Sequence, residues 1–231
     1  MEFFSLFLAL VVMVATLGDA LPALENRGIC PSPPPAWGSH GTKNCYSSSP
    51  SPNCGTVTSY GVSASDKQLI VSAHNSWRAR VASGQETRGN PGPQPKASNM
   101  RRMVYVRALY SDRSFNVSFL SAGQNLYMSW GSSGSKPNWT AAVKAWYDEV
   151  ALFSKFSISP FKFTMDTGHY TQVVWADTYA VGCGYVAYKG GYQLYVCNYG
   201  PAGNYIGMTV YGDGAPCSCC KSTCSNGVLC D

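Results

Sequence analysis

The sequence predicts an α+β fold with cystine-rich segments at both ends of the chain. Two stretches, beginning near Ser65 and near Thr140, show the 3.6-residue apolar periodicity of amphipathic helices. A third stretch, from Cys183 to Tyr199, has the pattern of two strands joined by a short turn that contains glycine. The ten cysteines lie near the two ends and in this hairpin, which in an exported chain indicates a disulfide framework.

The first 20 residues are predicted to be a secretory signal peptide. Phe3 to Leu17 is almost entirely apolar, and Gly18 and Ala20 place small residues where a signal peptidase cleaves. The run is too short to span a bilayer. Glu2 departs from the pattern, because this region of a signal peptide normally carries positive charge. The remaining chain is long enough, with 45% hydrophobic residues, for one domain of about 150 to 200 residues plus small appendages.

Charge and hydropathy exclude two classes of partner. No later run approaches the roughly 20 apolar residues of a membrane span, so no transmembrane segment is expected. Cleavage would remove Glu2 and Asp19 and no base, which changes the formal net charge from +5 to +7. The 17 basic residues are scattered, with Arg101 and Arg102 the only adjacent pair. This distribution favours mild attraction to acidic surfaces over binding of nucleic acid.

Residues 21–60 are predicted to form an extension held by disulfides. Proline, serine and glycine dominate the segment, and it lacks the periodicity of a helix or a strand. Cys30, Cys45 and Cys54 all lie in it. His40 lies there too and is interpreted as a loop histidine, because no other ligand-type residue clusters around it.

The first helix is expected to begin near Ser65 and to end by Gly84. Ser65 and Gln68 have the spacing of a capping box. The predicted buried stripe consists of Ile70, His74, Trp77 and Val81. A histidine on an apolar stripe is usually a core residue with hydrogen-bonded nitrogens, so His74 is interpreted as structural. The following segment, Gly89 to Pro95, is predicted to be a loop because proline removes backbone donors.

The second helix is predicted from about Thr140 to Phe153. Its buried stripe consists of Val143, Trp146, Tyr147 and Val150. Glu149 lies about 60° from Trp146 around the helix axis, so its carboxylate can face a cleft. Asn116 and Asn138 begin glycosylation sequons, and Asn138 can also begin this helix.

The stretch Gly168 to Trp175 is predicted to be a strand with a histidine, His169, at its beginning. Thr171, Val173 and Trp175 would share one face, with the intervening residues on the other. His169 would then meet a partner from another element.

The hairpin has a predicted register. A three-residue loop beginning at Lys189 would pair Tyr188 with Tyr192 and, counting outward, Cys183 with Cys197. Directly opposite residues have Cβ atoms close enough for a disulfide. The sequence therefore predicts the Cys183–Cys197 bridge.

Two separated segments, GHYTQVVWADT and LYVCNYGPAGNY, resemble the signatures of the CAP superfamily, which includes cysteine-rich secretory proteins, insect venom antigen 5 and plant pathogenesis-related 1 proteins. The resemblance implies a three-layer α/β/α sandwich with a small, mainly antiparallel sheet. The CAP domain would span 61–212 and a hinge-like tail 213–231. In that tail Cys217, Cys220, Cys224 and Cys230 resemble the family's hinge and Cys219 is additional; apart from Cys183–Cys197, the pairing of the ten cysteines stays open.

Residues 104–122 depart from the family. In relatives this stretch is a helix with a cysteine and the first of two cavity histidines, whereas here it contains neither residue. The missing cysteine explains why three cysteines remain near the beginning of the chain. The segment is interpreted either as a true replacement of the helix or as a transcript irregularity, in which case the product would fold poorly.

The resemblance implies a cleft with two histidines and two acids. His169 matches the second histidine, Glu149 matches the acid on the long helix, and Gln124 stands at the other acid position. Gln124 cannot act as a general base. One imidazole and one carboxylate give at most two metal ligands where catalytic zinc sites use three from protein, so no cofactor is expected and His169 is the single candidate ligand. The three residues are interpreted as a polar network that fixes two elements together.

Two other features have competing interpretations. Zinc binding by the tail cysteines is disfavoured because export pairs thiols and the tail has no histidine. Family members carry a sterol-binding loop in the region that leads to the cavity histidine, which is His169 here. The phenylalanines of this region lack the aromatic spacing of that loop and are interpreted as covering the core: Phe153, Phe156, Phe161 and Phe163.

The function expected from these features is that of a secreted, monomeric, non-enzymatic CAP protein that binds an extracellular protein or lipid. One alternative is a secreted endoprotease or metal-dependent protein that uses Glu149 and His169, although no nucleophile motif is present. The other is a carrier of sterol or fatty acid.

Overall fold

A computed structural model describes residues 54–106, 122–131, 136–188 and 190–231. The elements in chain order are β1 (Val57–Tyr60), α1 (Ala64–Ala82), β2 (Val104–Tyr105), β3 (Gly123–Trp130), α2 (Trp139–Asp148), α3 (Gly168–Val173), β4 (Ala180–Tyr188), β5 (Tyr192–Gly200), β6 (Cys224–Ser225) and β7 (Leu229–Cys230). The predicted signal peptide, His40, Cys30, Cys45, Asn116 and most of the unusual segment lie outside the described residues.

The main sheet has the strand order β1-β4-β5-β3, with every neighbouring pair antiparallel, and β2 pairs in parallel with β4. The predicted hairpin is confirmed, because Tyr188 pairs with Tyr192 and Cys183 with Cys197. The two cysteines form a disulfide with their Cα atoms 4.1 Å apart. Lys189, in the turn, is not among the described residues.

Helix α1 begins with a capping box two residues earlier than predicted. Ser63 is the N-cap, its hydroxyl accepts the Asp66 backbone N–H, and the Asp66 carboxylate accepts the Ser63 N–H. The prediction of Ser65 and Gln68 was wrong because a shorter acid, Asp66, closes the same ring of bonds and also places negative charge in the first turn. The inward face is confirmed for Ile70, His74 and Val81, which are buried, whereas Trp77 is half-buried and packs against the edge of the core.

The N-cap of helix α2 is Asn138, the sequon residue that was predicted to begin this helix. The Asn138 side chain accepts the Ala141 N–H at 3.0 Å, and the side chain is exposed, so glycosylation at Asn138 stays a prediction. The α-helix ends at Asp148, and Glu149–Ala151 continues as one 3-10 turn instead of reaching Phe153. That change places Glu149 at the end of the helix.

The segment containing His169 is a helix, not a strand. Gly168–Val173 forms α3, and Thr171, Gln172 and Val173 are all buried. The strand prediction was wrong because both faces of this short helix are buried. Its apolar and polar residues therefore do not show the 3.6-residue periodicity of a helix with one exposed face. Long-range contacts at its two ends, described below, hold it in helical form.

Helices α1, α2 and α3 pack on one face of the sheet. His74 of α1 contacts Tyr199, Trp139 of α2 contacts Tyr195, and Asn125 of β3 donates to the His169 carbonyl of α3. The α+β class is thus confirmed. Within the described ranges, the opposite face carries no helix, and the second helical layer of the expected sandwich does not fall on them.

The cysteine-rich tail is bonded to the domain. Disulfides join Cys217 to Cys224 and Cys220 to Cys230. Backbone bonds connect Cys230 to Met100 and to Arg102. Within the described residues no helix is long and apolar enough to cross a membrane.

One predicted disulfide residue is not bridged. Cys54 is a free thiol, whereas Cys219 is disulfide-bonded. Assigning all ten cysteines to disulfides was therefore wrong for Cys54.

Candidate functional site

The site is formed where the end of α2 meets the beginning of α3. Because the chain tightens into a 3-10 turn at Glu149, its carboxylate is directed to the first turn of α3. Glu149 Oε2 accepts the backbone N–H groups of His169 and Tyr170 at 3.0 and 3.1 Å. Negative charge is favourable at a helix N-terminus, where backbone N–H groups lack intrahelical partners. Glu149 therefore acts as an acceptor that starts α3.

The same carboxylate holds the imidazole. His169 Nδ1 lies 2.6 Å from Glu149 Oε1. A carboxylate is an acceptor, so Nδ1 carries the proton and Nε2 of a neutral ring is an acceptor. The His169 side chain is 38% exposed and that of Glu149 is 21% exposed, so the pair lies at the surface of the domain.

Arg78 binds the chain at the other end of α3. Its guanidinium is fully buried and donates to the carbonyls of Val173, Trp175, Ala176 and Thr178. Val173 is in the last turn of α3, where helix carbonyls lack intrahelical partners. The other three carbonyls belong to the turn that follows the helix, and those of Trp175 and Ala176 also accept the backbone N–H groups of Thr178 and Arg101. Burial lowers the pKa of Arg78 to about 9, which still leaves it protonated at neutral pH. The short helix thus has an acid at its beginning and a base at its end.

A buried chain of hydrogen bonds connects α1 to His169. His74 Nδ1 donates to the Ile70 carbonyl at 2.8 Å, and Nε2 lies 2.9 Å from the Tyr199 hydroxyl. Asn125 donates to the same hydroxyl at 3.4 Å and to the His169 carbonyl at 3.1 Å. Both nitrogens of His74 are therefore engaged, as a core histidine requires. Burial lowers its pKa to about 4.

Sequence reasoning named Gln124 and missed its neighbour Asn125. Gln124 is exposed, and its side chain donates to Asn198 at 2.8 Å. Successive residues of a strand point to opposite faces, so Asn125 faces the helices and Gln124 faces away. The structure brings Glu149 and His169 together and does not bring Gln124 into hydrogen-bond contact with them. The alternation of β3 was the signal that could have found Asn125.

A second polar cluster was also missed. Glu86 is fully buried and accepts hydrogen bonds from Arg80, Arg88 and Tyr147. Burial alone would raise the pKa of Glu86, but the bonds from Arg88 and Tyr147 outweigh it and lower that pKa to about 2. Arg88 also bonds to Asp148 at the end of α2. The cluster connects the loop after α1 to α2.

The residues of the site do not fit a metal ion. His169 Nε2 is one ligand atom, both oxygens of Glu149 already accept bonds, and both nitrogens of His74 are engaged. Catalytic zinc sites use three protein ligands. In the described part of the chain, the one group with ligand atoms close together is Cys217, Cys220 and Cys224. These sulfurs belong to disulfides, which are not thiolate ligands.

The phenylalanines near the site divide into two pairs. Phe153 and Phe161 are buried in the core, as the interpretation of these residues as core cover expected. Phe156 and Phe163 are 71% and 43% exposed. The expectation was wrong for this second pair. Phe156 lies in the 3-10 turn Lys155–Ser157, and Phe163 lies in the loop that follows.

Comparisons with known proteins agree with the two sequence signatures. A model of the cysteine-rich secretory protein family, CAP, matches residues 71–199. Venom allergen 5 of Brachyponera chinensis is 40% identical over 182 residues, which cover 70% of this chain and 92% of the relative. Venom allergen 5 of Microctonus hyperodae is 47% identical over 165 residues, covering 63% and 71%.

A solved structure has a similar fold. The crystal structure of NaASP2 with Zn2+ has a TM-score of 0.59 and 31% sequence identity, and the match covers 74% of this chain and 97% of that one.

Proposed function

The chain belongs to the CAP family of cysteine-rich secretory proteins, and we propose that it is a secreted, non-enzymatic member that binds an extracellular protein or lipid. The observation that carries the proposal is the use of Glu149. Its two oxygens accept three hydrogen bonds from the beginning of α3. A carboxylate engaged in this way stabilises a helix and orients a ring, and it is not available as a general base.

Secretion is supported by the chain's own chemistry. The N-terminal 20 residues have the pattern of a signal peptide. Disulfides persist in oxidising compartments, and the described residues form three complete bridges, Cys183–Cys197, Cys217–Cys224 and Cys220–Cys230.

The proposal is tested with purified mature protein and two assays. Hydrolysis of denatured casein should be no faster with wild-type protein than with His169→Ala, because neither has an activated nucleophile. Organic extraction, in parallel, distinguishes the two partner classes: stoichiometric sterol or fatty acid would assign the protein to lipid binding, and its absence to binding of proteins. Hydrolysis that both Glu149→Gln and His169→Ala abolish would contradict the non-enzymatic assignment.

Metal-dependent action is a second candidate, because His169 Nε2 is an open acceptor and a relative with 31% identity was crystallised with Zn2+. The donor set does not favour it. A single imidazole with one occupied carboxylate does not make the three-ligand site that zinc catalysis requires. Calorimetric titration of Zn2+ into the wild-type protein and into His169→Ala decides between the two candidates.

A further inference from the structure

At Asn138 a glycosylation sequon coincides with the beginning of a helix. The sequon consists of Asn138, Trp139 and Thr140, and the same asparagine is the N-cap of α2. Asn138 and Thr140 are exposed, whereas Trp139 between them is fully buried. The fold therefore uses, at the surface, a residue that the sequence also marks for modification.

The helix cap uses the oxygen of the Asn138 side chain. Oδ1 accepts the Ala141 backbone N–H at 3.0 Å. A backbone donor requires an acceptor, which decides which atom of the amide faces the helix. The backbone of Asn138 is bonded independently, since its N–H donates to the Tyr195 hydroxyl and its carbonyl accepts the Ala142 N–H. One side-chain atom is thus sufficient for the cap.

The nitrogen of the same amide is available for modification. Asn138 Nδ2 forms no hydrogen bond with any residue that the structure describes. N-glycosylation forms a bond between Nδ2 and C1 of the first sugar and breaks the bond from C1 to a lipid diphosphate, which leaves with the electron pair. Nδ2 gives up one of its two hydrogens as a proton, and Oδ1 is unchanged. The glycan and the cap therefore need different atoms of one amide.

We propose that Asn138 carries an N-linked glycan in the secreted protein and continues to cap α2 through Oδ1. The donor is an oligosaccharide linked to a lipid diphosphate, which chains meet during export. The transfer precedes the folding of α2. Trp139 is buried and packs edge-to-face on Tyr185 and Tyr195, so a transferase cannot surround the sequon of the folded domain. A chain without the glycan would keep the proposed function, so the two proposals can fail separately.

The modification is tested by peptide mapping of the mature protein secreted from a eukaryotic host. A peptide N-glycanase hydrolyses the side-chain amide of a glycosylated asparagine and, in water enriched in oxygen-18, leaves a labelled aspartate. Most wild-type chains should carry the label at position 138. Thr140→Ala removes the sequon without changing Asn138 and should lose the label. Mapping separates this site from Asn116, which lies outside the described residues.

The retained cap is tested by thermal unfolding. Asn138→Asp loses the sequon but keeps an oxygen that accepts the Ala141 N–H, and Thr140→Ala keeps the asparagine without the glycan. These two variants and the glycosylated wild type should melt together. Asn138→Ala has no acceptor for that N–H and should melt about 2 to 4 °C lower.

The order of events is tested with purified oligosaccharyltransferase and its lipid-linked donor. Unmodified wild-type protein, produced and folded from a bacterial host, should accept no glycan at position 138. The same full-length mature chain, reduced and alkylated so that it cannot form its disulfides, should accept a glycan there.

Three results would overturn the proposal. The absence of label at position 138 in the wild-type protein would exclude the glycan. A glycosylated wild type that melts as low as Asn138→Ala would show that the modification and the cap are incompatible. Transfer to the folded protein as fast as to the reduced chain would refute the order of transfer and folding.

Discussion

His169 Nδ1 and Glu149 Oε1 are 2.6 Å apart, and the other oxygen of Glu149 accepts the two backbone N–H groups that begin α3. The pair has the composition of an acid-base dyad and the geometry of a helix cap. Because the carboxylate is fully engaged in the second role, we assign the pair to stability.

Glu149→Gln should destabilise the protein by roughly 2 kcal/mol, because an amide removes the negative charge at the helix N-terminus and replaces one acceptor oxygen with a donor. Urea unfolding at neutral pH measures the effect. Asp166→Asn is the matched control, since Asp166 is an exposed acid just before α3, and it should unfold as wild type does. Equal stability of Glu149→Gln and wild type would refute the capping role.

Arg78→Lys should be more damaging, with a loss of about 3 to 5 kcal/mol. A lysine has three donors on one nitrogen and cannot reach the five carbonyls that Arg78 binds, so several would be buried without partners. Arg80→Lys provides the comparison, because Arg80 makes one bond to Glu86 and its side chain is 39% exposed. The two variants are compared by urea unfolding, and a cost for Arg78→Lys no greater than that of Arg80→Lys would contradict the account.

The free energy of unfolding should fall in mild acid because His74 is buried in its neutral form. Burial holds its pKa at about 4, below the ordinary value of 6.5, so the folded state disfavours the charged ring. Its contribution is fully present above pH 6.5 and is lost as the pH falls to 4, by up to roughly 3 kcal/mol.

His74→Gln should lose that dependence. Unfolding free energies at intervals from pH 7 to pH 4 are compared between wild type and the variant. The Glu86 contribution falls in a lower window, because its pKa is lowered from 4.5 to about 2. Parallel curves for wild type and His74→Gln would show that another group carries the dependence.

Removing the Cys183–Cys197 bridge should cost about 3 kcal/mol, because the disulfide closes a chain separation of 14 residues within the hairpin. The measurement is chemical unfolding of a Cys183→Ala, Cys197→Ala double variant. A Cys217→Ala, Cys224→Ala variant opens a separation of only 7 residues in the tail and should lose less. The reverse order would argue against the chain-entropy explanation.

The hairpin could be predicted from the sequence because its information is local. The turn length fixes the register from Tyr188 and Tyr192 outward to the cysteines, and the structure has that register. The helices α1 and α2 could be found for the same reason, since capping residues and apolar stripes lie within a few positions of one another. Even the small error at the start of α1 was a choice between two nearby serines.

The form of α3 could not be predicted in this way. The backbone groups at its two ends form hydrogen bonds with Glu149 and Arg78, which lie outside the helix in sequence. The sequence of the six helix residues gives no sign of either contact. The same limitation applied to Asn125, whose role depends on the hydroxyl of Tyr199. The sequence identified Glu149 and His169 through a family resemblance, and tertiary contacts decided what the pair does.

The central claim is tested most directly by calorimetric titration of Zn2+ into metal-free mature protein and its His169→Ala variant. One open imidazole nitrogen should give only weak binding, with a dissociation constant above about 100 µM and no difference in stoichiometry between the two proteins. A one-to-one site tighter than about 10 µM that His169→Ala abolishes would contradict the structural assignment of the Glu149–His169 pair.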